Sequence, residues 1–516
     1  MPGWPRGLTM LTRLKVSGFK NLVDIDVRFG PFTCIAGPNG VGKSNLFDAI
    51  RFLSALADRP LMEAALCVRG DEDGVRMSDV RSLFRRCGNE YVSDMSFEAE
   101  MIIPSEGEGD LGEKAEATSS FLRYSLTLAY RMPENTGSLG SIEILREELI
   151  HIKVREASRH LLFPHGTQWR NSAVHGQRRG PGFISTQPEG EGPIIQLHQD
   201  GGSRGRGISR QAKNLPRTVL SATNAAESPT AFLARREMQS WRLLQLEPSA
   251  LRRPDEFSAP AKMGPNGSHL AATLYRLAHQ NGSELPHEPY STSAYARVAN
   301  RLAQLIDDVY AVSVDRDEKR ELLTLSVMGR DKTPHAARSL SDGTLRFLAL
   351  AVLEQDPQVQ GVLCLEEPEN GIHPARISAM LKLLQNIATN AYEPVGPDNP
   401  LRQVIVNTHS PTVVQLVDED TLLAAEPTEF VSSGKRLEGV RFSCLSDTWR
   451  AKKFPEGVHT CKMGDLLAYL NPVIRDEGDG DEAIAGSQVH GGKARKSRRV
   501  IDRPDIAPYF PGWGPT

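Results

Sequence analysis

The chain has no apolar run near the roughly 18 consecutive residues that a membrane-crossing helix needs, and its opening stretch MPGWPRGLTMLTRL has no signal-type apolar core. Both absences point to a cytoplasmic chain with no membrane partner. Net charge is scarce as well: 61 Lys and Arg against 64 Asp and Glu leave −3, too little for a global field that draws in nucleic acid. The six cysteines, Cys34, Cys67, Cys87, Cys364, Cys444 and Cys461, are scattered without a Cys-x-x-Cys pair. They read as buried, reduced thiols rather than as a disulfide framework. A coiled coil is excluded too, because prolines repeatedly interrupt the helical periodicity between about Ala225 and Ile306, and a coiled coil needs an unbroken seam over several heptads.

What is present begins with one nucleotide loop. In CIAGPNGVGKSNLFDAIRFL, Gly37, Gly42, Lys43 and Ser44 satisfy G-x-x-x-x-G-K-[ST]. In that pattern backbone N–H groups cradle phosphate oxygens, the lysine reaches the β- and γ-phosphates and the hydroxyl binds Mg²⁺. The run Gly37, Pro38, Asn39, Gly40, Val41, Gly42, Lys43, Ser44 and Asn45 is therefore the expected ATP-binding segment, with Ser44 on the metal. Its context fits, since Phe32 to Ala36 reads as a buried strand and Leu46, Ile50, Leu53 and Ala57 recur at helical spacing. That order aims a helix N-terminus at the phosphates.

A second cluster lies more than 300 residues on, in GVLCLEEPENGIHPARISAMLKLLQ. The apolar strand Val362 to Leu365 delivers two carboxylates at its end, where ligands bind in open α/β sheets. Glu366 is expected in the Mg²⁺ shell and Glu367 as the base on the attacking water, the two pointing apart because neighbours on a strand do. An acidic strand end alone is ordinary. Another apolar strand, QVIVNTHSP, also ends in polar groups, at Thr408 and His409, and three polar strand ends with one phosphate loop imply a single nucleotide site. Between the clusters, SLSDGTLRFLALA sets a Ser-Asp-Gly-Thr turn before an apolar helix.

In this order, the phosphate loop, LSDGT, LCLEEPE and THSP resemble the split ATP-binding cassette head shared by SMC, RecF and the ATPase half of OLD-family proteins. More narrowly, GFKNL, GPNGVGKSNLFDAI, LSDGTLRFLAL, EEPENGIHP and NTHSP are similar to bacterial AAA-type ATPases related to RecF, several of them from phage-defence systems. The resemblance implies an α/β fold, a split ABC-type P-loop ATPase head with an inserted helical subdomain. The expected units are a disordered leader (1–9), a first ATPase lobe (10–222), a helical insertion (223–308), a second lobe (309–472) and a low-complexity tail (473–516). It implies slow ATP hydrolysis with Mg²⁺, Glu367, His409 and Lys43 being catalytic, and a homodimer closed over ATP. There Ser341 and the N–H of Gly343 meet the partner's γ-phosphate at a helix N-terminus. The nucleotide state would pass to DNA or to a separately encoded nuclease or toxin, in genome maintenance or phage defence.

The pattern also has departures. Asp342 stands where the family carries a glycine after the signature serine, adding negative charge near phosphate, and Thr344 replaces another family position. The glutamine that completes the family's metal shell is not assignable, since the first glutamine in the chain is Gln168. Two other readings stay open: a non-hydrolysing nucleotide-gated scaffold, and an OLD-type ATPase-nuclease using Glu426 with Asp479 and Asp481 as metal carboxylates. Against the nuclease, Pro427 follows Glu426, and TLLAAE with GVRFSCLS reads as a hairpin. A surplus of Lys and Arg over 151–220 reads as a solvated loop or as a surface that tracks phosphates.

Overall fold

Two large sheets face each other across the helix that follows the phosphate loop, in a computed structural model that describes residues 9–68, 80–88, 90–109, 112–132, 140–176, 180, 182–190, 192–200, 208–279, 294–306, 308–432, 435–453, 459–461, 466, 500 and 503. The leader up to residue 8 lies outside these, as does the tail apart from Val500 and Arg503. Both of those are buried, and Arg503 pairs with Glu419 at 2.9 Å.

The first sheet has seven strands, in the order Arg242–Leu244, Gly361–Glu366, Arg402–Thr408, Phe32–Ala36, Leu422–Ser432, Lys435–Cys444 and His459–Thr460. The first five run parallel, and the hairpin expected around Glu426 turns back antiparallel, Glu426 opposite Arg441. Parallel strands covered on both faces read as continuous apolar runs, and Phe32–Ala36 and Arg402–Thr408 are buried throughout. Their alternation sorts side chains into two cores. Ile35, Val362, Cys364 and Ile405 pack with the phosphate-loop helix Lys43–Leu56. Cys34, Leu363, Leu365, Val404 and Val406 pack with helices Asp342–Gln355 and Ile377–Ile387 on the other face.

The second sheet is an eight-stranded antiparallel layer in which Met10–Phe19 lies between Leu22–Arg28 and Asp94–Ile102. Phe19 and Phe97 from this layer, 5.5 Å apart at their ring centroids, meet Phe52 of the phosphate-loop helix at 5.8 and 5.7 Å, a geometry that adds to apolar burial. Buried Gln403 stitches the layers together: it accepts from Leu11 N (3.0 Å) and donates to Leu11 O and Gly30 O (both 2.8 Å).

The segment 223–308, expected as a helical insertion, is not helical throughout. It carries the helices Pro229–Ser240, Leu270–His279 and Ala294–Ala303. Between the first two, the chain re-enters the seven-stranded sheet as Arg242–Leu244, paired with Leu363–Leu365. Three residues are too few for periodicity to reveal a strand, and only the open edge beside Gly361–Glu366 gives them partners.

Glu100 is fully buried in the antiparallel layer, where Arg123 (2.9 Å), His160 (3.0 Å), Arg28 (3.1 Å) and Arg13 (3.2 Å) surround it. Burial pushes its carboxyl up, but these partners more than offset that and hold it at about 2. A depressed carboxylate contributes stability that is present above its unfolded value and lost as pH falls through the folded one. Acid unfolding of the parent chain should therefore lose on the order of 3 kcal/mol between the ordinary carboxylate range and about pH 2 from this group. Glu100→Gln should be destabilised at neutral pH and lack that acid-dependent component; urea midpoints across the pH range check both.

Candidate functional site

The carboxyl ends of the parallel strands converge, because register sets Ala36 beside Thr408, Asn407 beside Glu366 and Leu365 beside Leu244. A cavity of about 500 Å³ opens there, lined by Asn39, Gly40, Gly42, Lys43, Ser44, Asn45, Gln245, Leu246, Glu247, Arg346, Glu366, Glu367, Asn370 and Asn407. Of the expected loop residues, Gly37, Pro38 and Val41 do not line it but shape the loop. A Cβ on Gly37 would sit 2.4 Å from Ala425 O, and Val41 is buried in the core. Pro38 is exposed, and its carbonyl accepts from Lys43 Nζ at 2.9 Å, as does that of Gly37 at 2.7 Å. Gly42 has φ +108, and the space a Cβ would need holds the Asn21 amide. Asn21 donates to Val41 O at 3.0 Å and accepts from Asn45 at 2.7 Å. The GFKNL turn is thus a brace under the phosphate loop. Lys43 is buried, which lowers its pKa against the opposing pull of Glu367, Glu369 and Glu366.

Glu366 closes its strand, and Glu367 lies just beyond with φ +44. The two carboxylates are therefore separated by a left-handed kink as well as by strand alternation, a backbone state that non-glycine residues adopt rarely. The kink is held by Glu367 N, which donates to Asn407 O and Oδ1, both at 3.1 Å. Glu367 Oε1 lies 2.8 Å from His409 Nδ1, and Oε2 accepts from Asn370 at 2.8 Å. Burial raises this carboxyl, but Asn370, His409 and the nearby Lys43 outweigh it and leave the group below its ordinary value.

Sequence reading missed Gln245 and Arg346. Gln245 follows the short strand Arg242–Leu244 and donates to Glu366 Oε2 at 2.6 Å. It stands at a polar strand end, the signal that marked Glu366 and His409, but was hidden inside a block that reads as helix. Ser44, Glu366 and Gln245 all line the cavity and offer oxygen ligands, the chemistry a hard Mg²⁺ ion takes. Arg346, from the helix Asp342–Gln355, donates to Leu246 O (3.0 Å) and to Asn370 O, tying that helix to the cavity in its own chain.

Ser341 and Gly343 do not line this cavity. They line a second, of about 460 Å³, with Leu305, Ile306, Thr344, Gly371, Ile372, His373, Ala375 and Arg376. Ser341 also caps its helix, accepting from Thr344 N at 3.2 Å. Gly343 is obligatory, since a Cβ would lie 2.2 Å from Gly371 O. The negative charge of Asp342 is met by Arg252 at 2.5 Å, so it does not stand unopposed at that surface. Glu426 lies on the hairpin and accepts from Ser443 at 2.8 Å, while Asp479 and Asp481 lie outside the described residues.

A phosphate loop between a parallel strand and a helix, with paired acidic residues on a strand two places away, defines a P-loop nucleotide-binding protein of the ABC-type α/β fold. The profile described as "AAA domain, putative AbiEii toxin, Type IV TA system" matches residues 32–100 and 186–415, more than half of the chain, and the chain belongs to that family. Shorter stretches are similar to an OLD nuclease of Thermus scotoductus, 54% identical over 41 residues. A DNA replication and repair protein RecF of Porphyromonas gingivalis is 34% identical over 77. The chain covers 8% of the first relative's length and 20% of the second's, and these matches take in 8% and 15% of the chain. Among solved structures, an SMC head bound to the C-winged helix domain of ScpA is 13% identical with a TM-score of 0.42, covering 85% of this chain and 99% of that one. The Smc head derived from Pyrococcus furiosus is 11% identical at the same score, covering 85% and 97%. Likeness this loose adds nothing to the topology above.

Gln245→Leu keeps the side chain's bulk and removes its amide. If the amide serves the metal wall, this variant should raise the Mg²⁺ concentration for half-maximal turnover and cut kcat about tenfold or more, with metal-free nucleotide binding retained. Metal titrations of turnover and of fluorescent-nucleotide binding separate the two effects.

Proposed function

We propose that this chain is an ATPase that binds ATP with Mg²⁺ in the first cavity and closes as a homodimer over it. The observation that carries this reading is the Glu367–His409 pair, 2.8 Å apart beside a cavity whose other walls bring Lys43, Ser44 and Glu366 together. In the proposed reaction Lys43 leaves its loop carbonyls for the β- and γ-phosphates. Ser44 and Glu366, with Gln245 bonded to Glu366, would hold Mg²⁺, which would supply charge neutralisation on the phosphate oxygens. Glu367, kept ionised by its partners, orients and deprotonates the water, and His409 holds the base and is poised toward the γ-phosphate.

Closure over a partner's nucleotide is supported by the separation of the two cavities. Ser341 and Gly343 stand at a helix N-terminus that lines a different cavity from their own chain's phosphate loop, which suits a second chain's γ-phosphate. Gly343 packed on Gly371, with Arg346 bonded to Asn370 O, gives closure and the hydrolytic loop a common mechanical link. An ATP-dependent contact of this kind is a switch that hydrolysis releases. Its output is read by nucleic acid or a separately encoded effector, in phage defence or genome maintenance. Relatives named as a nuclease and as a DNA replication and repair protein support the nucleic-acid side. Lys153, Arg155, Arg159, Arg210 and Lys213 are exposed cations available to phosphates, whereas Arg178, Arg179, Arg204 and Arg206 lie outside the described residues.

Lys43→Ala should abolish ATP turnover. Glu367→Gln should keep ATP binding, stop hydrolysis and leave a long-lived dimer, seen by light scattering with ATP and lost on its removal. Ser341→Arg should block turnover without weakening monomer binding, and mixing it with Lys43→Ala should restore part of the activity. Hydrolysis by Glu367→Gln at the parent rate removes Glu367 as the base. No restoration in demonstrated heterodimers removes the shared site.

A further inference from the structure

Glu369, the third carboxylate of the EEPE run, has no part in the chemistry above. It is 6% exposed, and among the described residues its Oε2 is buried without a hydrogen-bond partner. Its Oε1 accepts from the hydroxyl of Thr408. Thr408, fully buried at the end of Arg402–Thr408, is a junction: its hydroxyl accepts from Ser410 N at 2.9 Å, and its carbonyl accepts from Gly37 N at 3.3 Å. On its own side Glu369 is anchored in the loop after Glu367, its carbonyl accepting from Ile372 N at 2.9 Å. One buried carboxylate thus spans from the loop that carries Glu367 to the strand end that carries His409, and through Thr408 it touches the start of the phosphate loop. Burial raises the Glu369 carboxyl despite the Thr408 contact. A group so expensive to bury is an uneconomical choice for filling space, which an apolar residue does without a desolvation cost.

We propose that Glu369 is a positioning residue of the hydrolytic site: by gripping Thr408 it sets the backbone of His409 and Ser410, and so the contact between His409 and Glu367, against the phosphate loop. The role rests on the ATPase reading. It predicts a particular failure when the grip is cut, because Lys43, Ser44 and Glu366 stay in place to bind nucleotide while the base loses its aligned histidine. The conservative replacements discriminate as well, since glutamine still offers an oxygen to Thr408 and serine still offers a hydroxyl to Glu369.

The test uses the full chain with Glu369→Ala, Glu369→Gln, Thr408→Val, Thr408→Ser and the Glu369→Ala/Thr408→Val double variant, measuring ATP turnover and, without nucleotide, amide hydrogen exchange by mass spectrometry. Glu369→Ala and Thr408→Val should each lower kcat about tenfold or more with KM within about twofold, while Glu369→Gln and Thr408→Ser stay within about threefold of the parent. The double variant should be no worse than the weaker single one, because both cut one tether. Exchange at residues 407–411 should accelerate in the two cutting variants and not in the conservative pair. Unchanged exchange there, additive losses in the double variant, or a raised KM at parental kcat overturns the proposal. If the parent hydrolyses no ATP, the ATPase reading falls, and the exchange results alone still decide the tether. Thr408→Val, nearly isosteric, carries the same decision if Glu369→Ala does not fold.

Discussion

Five strands running the same way force their carboxyl ends to one edge, and the rest of the molecule follows from that edge. Apolar layers cover both faces of the sheet, so Phe32–Ala36 and Arg402–Thr408 are buried along their whole length, and the polar groups that line the cavity come at and beyond the strands' carboxyl ends. Register does the remainder by setting Leu244, Leu365, Val406 and Cys34 in line, just before the carboxyl ends of their strands. Residues from four distant parts of the chain then meet across spacings of under 5 Å per strand. The helix Lys43–Leu56 begins at that edge and points its free N–H groups into the same space.

Holding that edge still requires more than apolar packing, which is non-directional. The directional work falls to a few buried polar groups. Gln403 ties the nucleotide sheet to Leu11 and Gly30, so the antiparallel layer cannot slide over it without stranding buried amide groups. Asn21 fixes the phosphate loop to the turn after Met10–Phe19. Asn407 holds the left-handed Glu367 from below. Such positions are where backbone strain persists, because the surroundings over-determine it.

The helix that begins at Ser341 belongs to both cavities in different ways. Its first turn lines the second one, while Arg346, one turn further on, reaches into the first. The two cavities are thus joined, within one chain, by Arg346, Asn370 and the Gly343–Gly371 contact. At that contact backbone meets backbone, so neither glycine has a side chain there to absorb a shift.

Much was legible in the sequence wherever chemistry is local. The phosphate loop, the acidic strand end and the strand ending in Thr408 and His409 each declare themselves within a dozen residues, because a buried strand is an apolar run and a ligand-facing end is polar. Family membership follows from the same short stretches. Gln245 was not legible, because a three-residue strand has no period and its helical neighbours dominate the pattern; only the sheet edge beside Gly361–Glu366 shows what it is. Nor were Asn21, Arg346 and Glu369, whose partners lie 20 to 100 residues away in sequence. The kink at Glu367 and the neutralising of Asp342 by Arg252 were decided at the same level. Amino-acid order by itself determined which strands and loops exist, since propensity and burial act over neighbouring residues. Which of them share a site was decided by tertiary register and by hydrogen bonds that close only once the layers have met.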